Sequence, residues 1–80
     1  MEQEFFTHEE AVKRSQKIVI AKKVNGVPAG SRGRTIHHMQ DINGVIREGV
    51  LVLWDSPMIP YGNTVILSPE KYREKLEEAP

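Results

Sequence analysis

The dipeptide Asn43-Gly44 restricts the possible folds of this chain more than any other feature. Both central residues of a type I′ turn need positive φ, and Asn-Gly is the pair best suited to that backbone. Such a turn pairs Ile42 with Val45, and counting outward along both strands places Ile36 opposite Leu51. The sequence therefore predicts a long antiparallel hairpin in the middle of the chain.

Glycine and proline residues predict strong curvature around this hairpin. Gly49 lies in its second strand, opposite His38, where a glycine typically marks a bend or a bulge. A tight loop precedes the first strand, since glycine permits positive φ and proline fixes one φ. The residues that predict this loop are Gly26, Pro28, Gly30 and Gly33. Together these features are typical of a small, strongly bent antiparallel β-barrel.

Further secondary structure is predicted on both sides of the hairpin. The segment Lys17–Val24 is rich in β-branched residues and predicts a strand, as does the segment Asn63–Leu67. Thr7-x-x-Glu10 matches a capping box and predicts a short helix from Thr7 onward. Ser68-Pro69-Glu70 has the order of cap, first-position proline and first-turn acid that starts a second helix.

We therefore expect a single, mainly β domain: a small antiparallel β-barrel with short N- and C-terminal helices. Residues 1–16 form a helical segment that packs on the barrel, and residues 17–80 form the barrel and its C-terminal helix. A chain of 80 residues has room for one modest core, so its stability is expected to be marginal.

Apolar residues occupy both faces of two predicted strands, Val50–Trp54 and Val65–Leu67. A sheet with one solvated face alternates apolar and polar residues, so an additional layer is expected over the outer face of this barrel. We expect the terminal segments to supply it, with a second copy of the chain as the alternative. The terminal residues suited to this are Phe5, Phe6, Tyr72 and Leu76.

Composition excludes several classes of protein. The chain has no cysteine, which excludes disulfides, thiol catalysis and cysteine metal sites. Its first residues are acidic and its apolar runs are short, which argues against a signal peptide or a membrane span. The expected location is the cytoplasm of a bacterium, or of a bacterium infected by a phage.

Two segments carry a recognisable spacing of residues. Pro28–Ile36 reads Pro-x-Gly-x-Arg-Gly-x-Thr-Ile, and Val50–Asp55 reads Val-x-Val-x-Trp-Asp. This pattern resembles that of small bacterial and phage SH3-like barrels, including KOW-type modules, over residues 27–55. The resemblance implies an SH3-like barrel that binds nucleic acid, a larger enzyme subunit or a peptide. The chain lacks the acidic loop and paired tryptophans of eukaryotic peptide-binding SH3 domains, so recognition of proline-rich peptides is not expected.

Residues suited to catalysis are scarce. Ser31, Ser56 and Ser68 each occupy a predicted turn or cap, and none lies in a nucleophile-elbow sequence. The glycine-rich loop lacks the Lys-Ser/Thr of a phosphate-binding loop. A barrel of this size fills its interior with side chains, which leaves no cleft for a carboxylate pair. We therefore predict that the chain is not an enzyme and holds no cofactor.

One group of residues has the donor types of a metal site. The predicted hairpin register places His37, Asp41 and Glu48 on one face near the turn. An imidazole and two carboxylates can bind a divalent ion, whereas the alternative is a polar hairpin tip that faces water. The alternative is favoured because a hairpin tip rarely fixes the geometry of its ligands. No metal is therefore predicted.

Binding of another macromolecule is the predicted function, with a protein partner preferred. Aromatic and methionine side chains, which are enriched at the centres of interfaces, cluster near a predicted loop with two prolines. For Trp54 the alternative is burial in the core, which removes about 200 Å² from water. These partner-binding residues are Trp54, Met58, Ile59 and Tyr61. The chain is then a non-catalytic accessory or adaptor module.

Nucleic-acid binding is the second hypothesis. Basic residues between Ala11 and Gln40 are uninterrupted by carboxylates, while both ends of the chain are acidic. The predicted anion-binding residues are Lys22, Lys23, Arg32 and Arg34. A net charge of +0 and a pI near 6.8 argue against a dedicated nucleic-acid binder. The acidic ends are equally able to neutralise the basic block, which leaves a protein partner as the first choice.

Overall fold

The computed structural model describes residues 5–55 and 63–80 of the chain. The described part has two helices and five strands. The helices are α1 (His8–Arg14) and α2 (Pro69–Lys75). The strands are β1 (Ile18–Ala21), β2 (Arg32–Ile42), β3 (Val45–Trp54), β4 (Asn63–Ile66) and β5 (Leu76–Glu78). The prediction of a mainly β fold with short helices near both ends is confirmed.

A single antiparallel sheet connects all five strands in the order β4-β3-β2-β1-β5. The sheet is curled into a half-barrel, as the glycine pattern of the sequence predicts. Helix α2 contacts both β4 and β5, which are the two edge strands of the sheet. It therefore lies across the opening between the edges that a closed barrel would join by hydrogen bonds.

The predicted central hairpin is confirmed in turn and in register. Asn43 and Gly44 have φ values of 54° and 83°, as a type I′ turn requires. Ile42 pairs with Val45, and the ladder continues without interruption to the pair formed by Gly33 and Trp54. The local chemistry of one dipeptide thus sets the alignment of the two longest strands.

Gly49 is required for close packing rather than for a bulge. The ladder between β2 and β3 pairs every successive residue on both sides of Gly49, so β3 has no bulge at this position. A Cβ at this position would collide with the carbonyl oxygen of Ile66 and with the Cα of Leu67. The glycine therefore lets β4 approach β3 closely at the end of their pairing.

The core lies on one face of the sheet, which we call the inner face. Val50 and Val52 of β3 and Val19 of β1 are fully buried there. Helix α1 packs against β2 and β3 on this side and contributes Ala11. The remaining buried apolar residues of the same core are Phe6, Ala21, Trp54, Ile66, Tyr72 and Leu76.

The terminal segments pack mainly on this inner face, and the prediction that they cover the outer face is wrong for both helices. Phe6, Tyr72 and Leu76 belong to the inner core. Phe5 does reach the outer side, where its ring centre lies 4.1 Å from the guanidinium carbon of Arg47. Helix amphipathicity predicts that these segments dock, but it does not specify the sheet face that receives them.

The ends of two elements differ from the prediction. β1 stops at Ala21 instead of Val24, because the N–H groups of Lys22 and Lys23 both turn to the carbonyl oxygen of Lys75, and Val24 forms only an isolated bridge with Val27. Helix α2 begins as predicted after Ser68, but Leu76 leaves the helix and starts β5. None of the helices in the described ranges is long and apolar enough to cross a bilayer.

Candidate functional site

Three titratable side chains from three different elements converge beside the core. His8 begins α1, His37 lies on β2 and Glu48 lies on β3. One carboxylate oxygen of Glu48, Oε1, lies 2.7 Å from Nδ1 of His8 and 2.8 Å from Nε2 of His37. The three candidate donor atoms all lie within 4.8 Å of one another. We call this group the His-His-Glu cluster.

The hairpin register positions two of its members. His37 pairs with Val50 and Glu48 pairs with Met39, so the two side chains are diagonal neighbours on the inner face. Diagonal cross-strand neighbours have Cα atoms about 7–8 Å apart, which side chains as long as histidine and glutamate can span. Both residues are held by the continuous ladder on either side of them.

The third member is positioned by the start of α1. The N–H of Glu10 donates a 3.2 Å hydrogen bond to Oγ1 of Thr7, and the N–H of Thr7 donates to Oε1 of Glu10. This capping box confirms the predicted helix start and fixes the first turn, in which His8 is the first residue. Because α1 lies against β2 and β3, His8 reaches the hairpin.

The cluster is partly exposed. The side chains of His8, His37 and Glu48 are 69%, 32% and 20% exposed, respectively. The hydrogen bond from His8 is the main cause that lowers the pKa of Glu48 below its ordinary value, with His37 adding to the effect and partial desolvation opposing it. The two imidazole rings meet edge to face, with centroids 5.9 Å apart. Glu48 is therefore a carboxylate shared by two imidazole nitrogens.

The structure changes the membership predicted for this site. His37 and Glu48 do lie together, but Asp41 instead accepts a 2.8 Å hydrogen bond from the N–H of Gly44 and stabilises the turn. The third member of the cluster is His8. The capping box predicts that His8 begins a helix, yet no local pattern indicates that this helix lies across the hairpin, so sequence reasoning missed the residue.

Trp54 lies in the core, which is the alternative that the sequence analysis gives to a role in binding a partner protein. It is 8% exposed, and its indole N–H donates a 3.0 Å hydrogen bond to Oγ1 of Thr64. The hydrogen bond satisfies the polar atom of an otherwise apolar side chain. The other predicted partner-binding residues, Met58, Ile59 and Tyr61, lie outside the described residues.

The predicted anion-binding residues fall into two places. Arg32 and Arg34 are exposed and share the outer face of β2, two residues apart. Neither forms an ion pair with any residue in the ranges 5–55 and 63–80. Lys22 lines a shallow pocket at the β5 edge, beside Glu77 and Glu78. Lys23 is exposed next to it, and its N–H donates to the carbonyl oxygen of Lys75.

The two arginines lie among apolar side chains of the outer face. Arg34 pairs with Ile18 on one side and with Leu53 on the other, so the three residues form one row across the sheet. A second row consists of Ile36, Leu51 and Val65. Leu53 is 38% exposed and Val65 is 42% exposed. We call these two rows, together with Ile20 and Arg32, the outer patch.

Comparisons with family models, curated proteins and solved structures each return no match. The resemblance of residues 27–55 to SH3-like barrels therefore stays a prediction.

Proposed function

We propose that this chain is a non-catalytic accessory or adaptor module, built on an SH3-like barrel, that binds another protein through the outer patch. The observation that carries the proposal is the exposure of apolar side chains on a sheet face that also carries two arginines without ion pairs in the described ranges. The curled antiparallel sheet and the Pro28–Asp55 spacing support the SH3-like assignment.

The chemistry of the outer patch indicates the character of the partner. Ile36, Leu51 and Val65 offer an apolar row that is only partly shielded from water, and burying such surface contributes about 25 cal/mol per Å². Arg32 and Arg34 stand beside it, and arginine is enriched at interfaces because its planar guanidinium pairs with carboxylates in fixed geometry. The partner suited to this surface is a protein with an apolar centre flanked by carboxylates.

Nucleic acid is the second candidate, and the charge distribution makes it the weaker one. Arg32 and Arg34 are available on the outer face, but Lys22 lies beside two carboxylates at the β5 edge. Arg14 of the basic block is paired with Glu78, with 2.9 Å between Nη1 and Oε2. A phosphate backbone would therefore meet a surface of mixed charge around Lys22 and apolar side chains around Arg34.

The test uses amide NMR spectra of the labelled chain and defined probes. Two amphipathic peptides of equal length are titrated, one of leucine and glutamate and one of leucine and lysine. We expect the acidic peptide to shift the amides around Ile36, Leu51 and Val65, and the basic peptide to leave them unchanged. Arg34→Glu should abolish the response, whereas Arg73→Glu on α2 is the matched control and should retain it.

Two further experiments test the other possible partners of the outer patch, which are nucleic acid and a second copy of the chain. Mixed-sequence short DNA and RNA are titrated at low and moderate salt, since phosphate contacts weaken steeply as salt rises. Salt-sensitive shifts at Lys22, Lys23, Arg32 and Arg34 that exceed those caused by the acidic peptide would overturn the protein proposal in favour of nucleic acid. Sedimentation of the free chain tests self-association, and a dimer dissolved by Val65→Lys would replace the foreign partner with a second copy.

A further inference from the structure

We propose that the His-His-Glu cluster is a binding site for a divalent transition metal ion of the zinc class. Two imidazole nitrogens and one carboxylate oxygen converge from α1, β2 and β3, with all three atoms within 4.8 Å of one another. Three protein ligands with an open fourth position are a common arrangement for zinc. The cluster lies on the inner side of the sheet, so it is separate from the outer patch and independent of its function.

The distances are close to those that a bound ion would impose. Zinc bonds to nitrogen and oxygen of about 2.0–2.1 Å place tetrahedral ligand atoms about 3.4 Å apart. The two contacts of Glu48 Oε1, 2.7 Å to His8 and 2.8 Å to His37, are somewhat shorter than this. Side-chain rotations that open these contacts by about 0.6 Å and bring the two nitrogens, which lie within 4.8 Å of each other, to the same separation would admit the ion.

The protons can be placed consistently. In the ion-free cluster the carboxylate of Glu48 can only accept, so Nδ1 of His8 and Nε2 of His37 each donate an N–H to it. Binding requires the lone pairs of these same two nitrogens, so each ring changes tautomer and carries its proton on the other nitrogen. Glu48 is already a carboxylate, because its two imidazole partners hold its pKa low.

The donor types favour transition metals over magnesium and calcium. Imidazole nitrogen suits zinc, copper, nickel and iron, whereas magnesium and calcium prefer sites made of oxygen. The cluster supplies two nitrogens and one carboxylate. A bound zinc ion would keep one net positive charge, and the exposure of His8 leaves its fourth position open to water or to an acidic group of another molecule.

A bound ion would also link elements that are distant in the chain. His8 and Glu48 are separated by 40 residues, and the ion would tie α1 to the middle of the hairpin. A ligand that binds only the folded state stabilises it by mass action. We therefore expect zinc to raise the melting temperature of the chain, in addition to showing saturable binding.

The first measurement is isothermal titration of the untagged chain with zinc, with cobalt absorption as a report on tetrahedral geometry. We expect one ion per chain. Loss of a hydrogen-bond partner of a metal ligand typically weakens metal binding by roughly 10–100-fold. Loss of a ligand itself should weaken zinc binding by more than this in each of three variants, His8→Ala, His37→Ala and Glu48→Gln. His38→Ala is the matched control, because His38 lies on the opposite face of the same strand and contacts Gln40 at 3.3 Å.

Several results would overturn the proposal. They are the absence of saturable zinc binding by the unmodified chain, an equal loss in the His38→Ala control, and magnesium binding as tight as zinc binding. Circular dichroism of each variant without metal verifies that it folds. If a histidine variant does not fold, Glu48→Gln, which keeps the size and shape of the side chain, provides the test of zinc binding. Arg34→Glu should leave zinc affinity unchanged, so failure at this cluster is distinguishable from failure at the outer patch.

Discussion

The hydroxyl of Thr35 donates a 2.6 Å hydrogen bond to the carbonyl oxygen of Arg14, the last residue of α1. The hydroxyl oxygen of Thr35, Oγ1, also accepts a 3.0 Å hydrogen bond from the N–H of Lys17, just before β1. Thr35 is fully buried in the middle of the sheet. One hydroxyl thus satisfies two backbone groups of the connection between the helix and the first strand, and it fixes α1 onto the inner face.

Replacing Thr35 with valine is predicted to reduce the free energy of unfolding by about 1–3 kcal/mol. Valine has nearly the same shape, but it leaves the N–H of Lys17 and the carbonyl of Arg14 without this partner. Urea denaturation measures the loss. Thr35→Ser keeps the hydroxyl and should be the milder change, although serine is the smaller and less apolar residue. A valine variant as stable as the original chain would contradict the role of the hydroxyl.

A second prediction concerns Gln16, which connects α1 to β1 with a φ of 57°. A side chain in this left-handed region costs about 1–2 kcal/mol, and glycine removes most of that strain. Gln16→Gly is therefore predicted to raise the free energy of unfolding by about 0.5–1 kcal/mol in urea denaturation. The control is Lys13→Gly in the last turn of α1, where glycine should be destabilising. Equal losses at both positions would contradict the prediction.

Local chemistry explains which parts of the fold could be predicted from the sequence. Asn43-Gly44 fixes a turn, and the two-residue period of a strand then determines every partner from Ile42 to Trp54. Thr7 and Ser68 fix the starts of the helices in the same way, because each cap is completed within three residues. These features depend on a few neighbouring residues, so the sequence contains all the information that they require.

The missed features depend on contacts between distant segments. β5 contains two glutamates, Glu77 and Glu78, which have low strand propensity, and it forms only because β1 offers an unpaired edge. The cover of the inner face and the position of His8 likewise depend on where α1 docks. The two members of the His-His-Glu cluster on the hairpin were therefore predictable from the register, and the member on α1 was not.

The close approach at Gly49 gives a third prediction. Gly49→Ala forces a methyl group against the carbonyl oxygen of Ile66, and β4 must move to accommodate it. Overpacking of this kind typically costs about 1–3 kcal/mol, and we expect a loss of that size in thermal or urea denaturation. Val45→Ala, at an exposed position of the same strand, is the control and should change stability by less than about 0.5 kcal/mol.

The pair formed by Tyr72 and Glu78 makes stability depend on pH in two windows. The Tyr72 hydroxyl donates a 2.8 Å hydrogen bond to Oε2 of Glu78. This bond is the main cause that lowers the pKa of Glu78, with Arg14 contributing as well. Burial is the main cause that raises the pKa of Tyr72, and the neighbouring carboxylate raises it further. Each shift means that folding favours one protonation state, the carboxylate of Glu78 and the neutral phenol of Tyr72.

The contributions of Glu78 and Tyr72 to stability are lost at opposite ends of the pH scale. The contribution of Glu78 is present above its ordinary pKa of about 4.3 and is lost as the pH falls through its lower folded value. The contribution of Tyr72 is present below its ordinary pKa of about 10 and is lost as the pH rises beyond it. The folded state is therefore expected to lose stability from these two groups in acid and in strong base.

Tyr72→Phe separates these effects from packing. Phenylalanine keeps the ring that meets Phe6 edge to face at 6.2 Å, but it has no proton to lose and no hydroxyl to donate to Glu78. We expect the variant to be less stable than the original chain near neutral pH, and its stability to fall less steeply both below pH ~4 and above pH ~10. Melting temperatures across the pH range test this, with Glu77→Gln, a change at an exposed neighbouring position, as the control. A tyrosine-to-phenylalanine variant whose pH profile parallels that of the original chain would show that the pair does not control the pH dependence.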